Sequence, residues 1–216
     1  MRYIWLHGFA SGPTSSKGRF VRERLQERGI ELQIPDLNDP SFFELTVSRM
    51  LSGIDAIAGS DELVLFGSSL GGFTAALWAA TRPDRTAALI LLAPAFELAP
   101  RWEARMGNED IARWKRAGRY SFDHYAHGGK EDLSWSFLED AARHPAFPLP
   151  QSPTLVIQGT HDDVVDPALA REFVRRMEGR ASLVELAEGH ELTGDLPALW
   201  RRMEDFLSAQ ELLPTP

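Results

Sequence analysis

The chain has no cysteine. That excludes a disulfide scaffold, structural thiolate zinc, iron–sulfur ligation and a cysteine nucleophile. Long hydrophobic runs are also missing, since no apolar stretch reaches the ~18 residues that a membrane helix needs. The opening residues, Met1-Arg2-Tyr3-Ile4-Trp5-Leu6-His7-Gly8, lack the extended apolar region and small-residue cleavage site of a secretory leader. Positive charge is in deficit: Lys+Arg 23 against Asp+Glu 31 leaves a net charge of −8, which argues against nucleic acid as a partner. What is present is ordinary for a globular protein, with 44% hydrophobic and 25% charged residues. A length of 216 residues fits one α/β domain, or one domain carrying an insertion. A cytoplasmic enzyme acting on a small molecule is the class that these exclusions leave.

Short apolar runs recur along the chain, each followed by a turn and a helical pattern. The runs are Tyr3–Leu6, Ile30–Ile34, Leu63–Phe66, Ala87–Leu92, Thr154–Ile157 and Leu183–Leu186. Several are apolar at nearly every position, which is how a strand buried on both faces reads. Helical patterns cover Ser15–Arg28, Phe42–Ala58, Leu70–Thr81, Pro167–Glu178 and Leu196–Leu207. Asp166-Pro167 supplies an N-cap and a first-turn proline, while Gly29 and Gly179 stand where C-caps are wanted. This alternation predicts a doubly wound, mostly parallel α/β sheet with helices on both faces. Between Leu92 and Thr154 lie roughly 60 residues without a strand signal, too many for a structureless loop in a compact domain. That segment holds Trp102, Trp114 and Trp135, and it exits through a proline-rich stretch, His144–Pro150. It is predicted to form two to four short helices, a helical cap inserted at about 95–150 into a single domain spanning 1–216. Either the cap packs its own aromatics as an extra layer, or Trp102 and Trp114 wall a substrate pocket.

The chemistry concentrates at three strand ends. Residues Glu62 to Thr74 read as an apolar strand, then Gly67-Ser68-Ser69-Leu70-Gly71, then an apolar helix. The G-x-S-x-G pattern alone is weak, but a strand-to-helix context makes it a nucleophile elbow. Glycines two residues either side of Ser69 let neighbouring backbone pass without a Cβ clash. The helix N-terminus favours negative charge developing there. A serine nucleophile needs a base, and the base needs an orienting acid. The strand Thr154–Gln158 runs into Asp162 and Asp163, and the strand Leu183–Leu186 runs into His190. The order serine, aspartate, histidine is thus met by Ser69, either aspartate, and His190. Position in the turn favours Asp162, because the apolar pair Val164-Val165 makes Asp163 a turn residue facing solvent or the backbone. Two backbone donors are also needed for an oxyanion: the Leu70 N–H, after the nucleophile, and the Phe9 N–H in the loop after the first strand. His7 is read as bracing that loop.

Other clusters are weaker. His124 and His127, with Asp123 beside them, stand at i, i+3 spacing with no third ligand nearby and read as a packed or solvated pair, so no metal is expected. Gly71-Gly72 is not followed by Lys-Ser/Thr and is no phosphate loop, and no cofactor is called for. Arg101, Arg105, Arg113, Lys115, Arg116 and Arg119, opposed by Glu103, Glu109 and Asp110, read as a solvated helix face, with an anionic substrate such as an acyl-CoA as the alternative.

The motifs His7-Gly8-Phe9, Ser11-Gly12-Pro13, Ser16-Lys17, Ile34-Pro35-Asp36-Leu37, Gly67–Phe73, Asp162–Asp166 and Gly189–Gly194 resemble a small α/β hydrolase, and more closely the YqiA-like esterase family. Through the elbow and the acid loop the chain is also similar to animal mitochondrial serine hydrolases that remove acyl groups from thioesters. The resemblance implies an esterase with Ser69 as nucleophile, Asp162, the first aspartate of its run, as acid, and His190 as base. It also implies a chain that starts in what is the third strand of larger hydrolases, leaving six strands in the order 2-1-3-4-5-6. The resemblance does not extend through 95–150, so the substrate stays open. The expected activity is hydrolysis of a carboxylic ester or thioester. Alternatives are an amide or peptide hydrolase, and a catalytically silent binding module, which would need one triad member to be missing.

Overall fold

The computed structural model describes residues 1–214. In chain order the first half runs β1 (Arg2–Leu6), α1 (Ser16–Gln26), β2 (Leu32–Gln33), α2 (Val47–Ala58), β3 (Leu63–Ser68), α3 (Leu70–Thr81) and β4 (Thr86–Leu92). The second half runs α4 (Leu98–Ala117), β5 (Arg119–His124), β6 (Gly129–Ser134), α5 (Ser136–Ala141), β7 (Thr154–Gly159), α6 (Pro167–Arg176), β8 (Ala181–Leu186) and α7 (Leu196–Ala209). Six strands form one parallel sheet in the order β2-β1-β3-β4-β7-β8. That is the order 2-1-3-4-5-6 that the resemblance implied, with the two strands β5 and β6 of a separate hairpin left out of the count. Among the described residues no helix is long and apolar enough to cross a membrane.

The central strands are buried on both faces, and their side chains sort by period two. Ile4, Leu6, Leu63, Leu65, Leu89, Leu91 and Val156 pack with α2, α3 and α6 on one face. Tyr3, Trp5, Val64, Phe66, Ile90, Leu92, Leu155 and Ile157 meet α1 and α7 on the other. Helix ends follow the local signals. Asp166 accepts from the Ala168 amide at the start of α6, and Gly29 and Gly179 both take positive φ just beyond helix ends. The pattern read as one helix over Phe42–Ala58 divides instead into a 3-10 turn, Phe42–Glu44, and α2. Leu45 is non-helical, and the Thr46 side chain accepts from the Arg49 amide, restarting the helix.

The inserted segment contains helices, as expected, but also an antiparallel hairpin, β5–β6, that the sequence reading missed. Helix α4 is broken at Gly107, whose φ of 77° and ψ of 162° are not helical. In β5 only alternate residues face inward, and β6 (Gly-Lys-Glu-Asp-Leu-Ser) carries neither β-branched residues nor a run of apolar ones. The alternation of Tyr120, Phe122 and His124 with polar residues is the period-two signal of a half-buried strand, set aside by a reading that looked for continuous apolar runs, whereas β6 shows no signal of its own. Trp114, Leu133, Phe137, Leu138 and Ala141 from this segment belong to the same hydrophobic cluster as the first sheet face. The insertion and the sheet share one core.

Glycine sites differ sharply in what they tolerate. A Cβ on Gly71 would lie 2.5 Å from the Leu6 carbonyl carbon, whereas one on Gly53, inside α2, meets nothing within 4 Å. Gly71→Ala is expected to cost about 3 kcal/mol or more because backbone, not a side-chain tip, blocks it. Gly53→Ala is expected to gain roughly 0.5–1 kcal/mol from reduced unfolded-state entropy. Thermal unfolding of the two variants checks both signs, and equal midpoints would overturn the assignment.

Candidate active site

The turn between β3 and α3 sets the position of Ser69. Its φ is 53° and ψ −113°, a strained conformation for a residue with a side chain. The strain is held by packing on both sides. A Cβ on Gly67 would sit 2.6 Å from the Gly71 carbonyl carbon, so β3 and α3 pass in backbone contact. The Ser69 amide donates to the Leu92 carbonyl at 2.8 Å, and the Ser69 carbonyl accepts from Phe73 and Ala95, each at 3.0 Å. The hydroxyl is thereby presented at the mouth of a cleft of about 1580 Å³, lined among others by Phe9, Ser69, Leu98, Trp102, Met106 and His190. Ser68 is buried.

Three loops that follow separate strands bring the expected residues together. His190 Nε2 lies 3.0 Å from Ser69 Oγ, and His190 Nδ1 lies 2.8 Å from Asp162 Oδ2. An ionised carboxylate only accepts, so the proton of neutral His190 belongs on Nδ1, leaving Nε2 to accept from the serine hydroxyl. Asp162 is buried and Asp163 exposed, as the turn argument anticipated. Of the apolar pair behind it, Val165 tucks under the loop while Val164 remains partly exposed. Asp162 Oδ1 accepts from the Val164 and Val165 amides at 2.9 and 2.8 Å, and Gln158 Nε2 donates to Oδ2 at 2.8 Å. Burial opposes ionisation of Asp162, but the hydrogen bonds from His190, Val165 and Val164 outweigh it and hold the carboxyl below its usual range.

The loop after β1 flanks the serine on its other side. A Cβ on Gly8 would stand 3.6 Å from Ser69 Cβ. His7 is buried, donates from Nδ1 to the Gly8 carbonyl at 2.9 Å and accepts at Nε2 from the Leu37 amide at 2.9 Å. Its two ring nitrogens are thus spent on bracing the loop. The amides of Phe9 and Leu70 donate to no acceptor among the described residues.

Three residues around this constellation hold its loops, a role that the sequence did not assign to them. Gln158 is a fully buried polar group at the end of an apolar strand, a signal the sequence did contain. Lys17 looks like any solvated helix lysine, yet it is buried, and its Nζ donates to the carbonyl of Glu191, the residue after His190. Burial lowers its ammonium pKa while Glu191 and Asp162 oppose that shift. Arg101 was read with a solvated basic face. Instead it donates to the carbonyls of Phe96 and Val164, both at 3.2 Å, and so ties α4 to the acid loop. Other members of that group are surface residues: Arg113 pairs with Asp110, and Arg119 lies 3.6 Å from Asp132.

The two tryptophans expected at the pocket separate. Trp102 lines the cleft, with its ring edge-on to Phe9 at 4.8 Å. Trp114 is a correction: it is fully buried behind Trp102, at 5.8 Å between ring centroids, and its indole N–H donates to the Leu133 carbonyl. A side chain enclosed on all sides has no face left for a substrate.

A model of the uncharacterised protein family UPF0227 matches residues 2–208. No curated protein matches the sequence. Among solved structures the chain is similar to Alpha/beta hydrolase domain-containing protein 10 from mouse, at 21% identity over 96% of this chain and 89% of that chain, with a TM-score of 0.80. It is also similar to Paleococcus ferrophilus monoacylglycerol lipase, at 19% identity over 96% and 94%, TM-score 0.76. A third is Est1E from Butyrivibrio proteoclasticus with ferulic acid bound, at 21% identity over 96% and 88%, TM-score 0.75. With the family match spanning nearly the whole sequence, the chain belongs to the UPF0227 family, and its likeness to these structures shows the α/β-hydrolase fold.

Proposed function

We propose that this protein is a serine hydrolase that cleaves a carboxylic ester or thioester through an acyl-enzyme on Ser69. The observation that carries the reading is the continuous relay Ser69 Oγ–His190 Nε2 and His190 Nδ1–Asp162 at 3.0 and 2.8 Å. In the proposed reaction Ser69 attacks the acyl carbonyl as His190 takes its proton, and Asp162 stabilises the imidazolium. The oxyanion is received by the Phe9 and Leu70 amides, which have no other acceptor among the described residues. Collapse expels the alcohol or thiol, protonated by His190. Water then attacks the acyl-enzyme with His190 again as base, releasing the acid and restoring Ser69. Among the structural neighbours, a monoacylglycerol lipase and an Est1E holding ferulic acid support an acyl ester as the substrate class. No cofactor or metal enters these steps.

A fluorophosphonate probe is expected to label Ser69 and to leave Ser69→Ala unlabelled. That variant should lose roughly 10³–10⁶ in kcat on any accepted ester, and Ser68→Ala far less. Recovery of the probe on Ser68, or absence of labelling on folded protein, would refute the assignment.

The two aspartates are expected to separate in kinetics. Asp162→Asn should lose roughly 10³–10⁴ in kcat, and Asp163→Asn no more than about tenfold. A second readout follows from the depressed carboxyl of Asp162. An Asp with a lowered folded pKa stabilises the native state above its unfolded value of about 3.9, and that contribution is lost as pH falls through the folded pKa. The midpoint advantage of wild type over Asp162→Asn should therefore shrink on acidification below pH of about 4. A constant gap, or the reversed kinetic order, would move the acid role elsewhere.

The cap yields a selective test. Trp102→Ala should change acyl chain-length preference more than short-ester turnover, because long chains need apolar wall area at about 25 cal/mol per Å². Trp114→Ala should chiefly lower the thermal midpoint, since it opens a cavity. An unchanged chain-length profile in Trp102→Ala would remove the cap from the substrate pocket.

A further inference from the structure

The tip of the β5–β6 hairpin holds a cluster apart from the Ser69 relay. His124, His127 and Glu131 each bring a donor atom to within 4.8 Å of the others. From sequence, His124 and His127 lacked a third partner. The hairpin supplies it by folding Glu131 of β6 back across the turn, while Asp123, the neighbour in sequence, points away to Lys130 at 3.7 Å. His124 is the unusual member: only 1% of it is exposed, and neither ring nitrogen has a hydrogen-bond partner among the described residues. A buried imidazole with both nitrogens idle has lost its water without replacement, a cost that folded proteins nearly always avoid. Its ring is held by Phe42, edge-on at 4.8 Å, and by the His127 ring, stacked at 4.0 Å. Both ring nitrogens are therefore open to a further partner.

We propose that His124, His127 and Glu131 form a binding site for one divalent transition-metal ion of the zinc class at the tip of this hairpin. Two imidazoles and one carboxylate, without thiolate and with a single carboxylate oxygen donor, suit zinc rather than calcium or magnesium. Lone pairs lie in the ring planes, and two parallel rings cannot aim them at one point. Binding therefore requires the His127 ring to leave the stack, which its half-exposed side chain can do without disturbing the core. Its Nδ1 pairs with the Glu131 carboxylate, and the ion takes a place between these two groups. The remaining position faces solvent and is filled by water. The site would fasten the hairpin where it already rests on the loop after β1: the Tyr125 amide donates to the Ala10 carbonyl at 2.9 Å, and the Ala126 methyl lies against Gly12.

The test uses the full chain, stripped with chelator and titrated with Zn²⁺ by calorimetry and with Co²⁺ by visible absorption. One ion per chain is expected, with a Kd on the order of 10 μM or tighter, together with a raised thermal midpoint. His127→Gln and Glu131→Gln alter partly exposed residues that the fold does not need, and each should weaken binding by at least about tenfold. Their circular dichroism should match wild type. Absence of saturable binding would overturn the site. So would binding that survives both variants, or binding lost instead in His190→Ala, which would place the ion at the relay. None of these readouts depends on hydrolysis.

Discussion

The structure turns on backbone crowding where β1, β3 and α3 converge. Ser69 can hold a positive φ there only because Gly67 and Gly71 leave no side chain between β3, α3 and the Leu6 carbonyl. A relaxed turn would fold the hydroxyl into the helix or away from the cleft. The strain is contained by three backbone hydrogen bonds on Ser69 itself, to Leu92, Phe73 and Ala95, which link it to the end of the neighbouring strand β4. Strain of this kind persists only where surroundings over-determine it. Here the apolar strands on either side, buried on both faces, provide that surrounding.

Once the serine is fixed, the relay requires two further loops to hold station against it, and neither is left to its own stability. The acid and base loops are bonded to one another by Thr160 to Leu186 and His161 to Glu188, and Gly159 lets their backbones touch. Two buried or half-buried cations then tie them outward. Lys17 of α1 grips the carbonyl after His190, and Arg101 of α4 grips that of Val164 beside the two amides that hold Asp162. Long cationic side chains are costly to order and to desolvate. Their use on carbonyls of these two loops places that cost where a displacement of an ångström would open the relay.

Reading the sequence recovered what local chemistry dictates. The six strands, the elbow and the ends of α6 each had a signal in a few consecutive residues, and Ser69, Asp162 and His190 lay at strand ends in the right order. What stayed hidden depended on long-range packing. Lys17 gives no local sign of burial, because only the return of the chain at Glu191, far along the sequence, encloses it. Arg101 was assigned to a charged face by composition, though the fold turns it inward. In hairpin β5–β6 the strand β5 alternates aromatic and polar residues, but β6 is polar apart from Leu133 and is held by packing of Leu133, Tyr120 and Phe122 with α4, a tertiary effect that overrides propensity. Trp114 and Trp102 were indistinguishable as aromatics in one segment, and only the depth of the cluster sorted them.

That aromatic cluster bears on how substrate selection and chemistry are connected. Phe9 packs against Phe42, Trp102, Phe122 and Phe137, so its ring belongs to the cap. Its amide belongs to the loop against Ser69. On the proposed mechanism the same residue offers an oxyanion donor through its backbone and a pocket wall through its side chain. Trp102 is held in turn by Trp114 from behind, at a distance of 5.8 Å, and by Phe137 at 5.1 Å. A close-packed cluster transmits displacement rather than absorbing it. On the same proposal, an acyl chain pressing on Trp102 would press on Phe9 through their ring contact and so be felt at the proposed oxyanion donor. The insertion and the loop after β1 share one packed cluster, so on the proposed mechanism an insertion that joins the core of the sheet would set specificity without carrying a catalytic group.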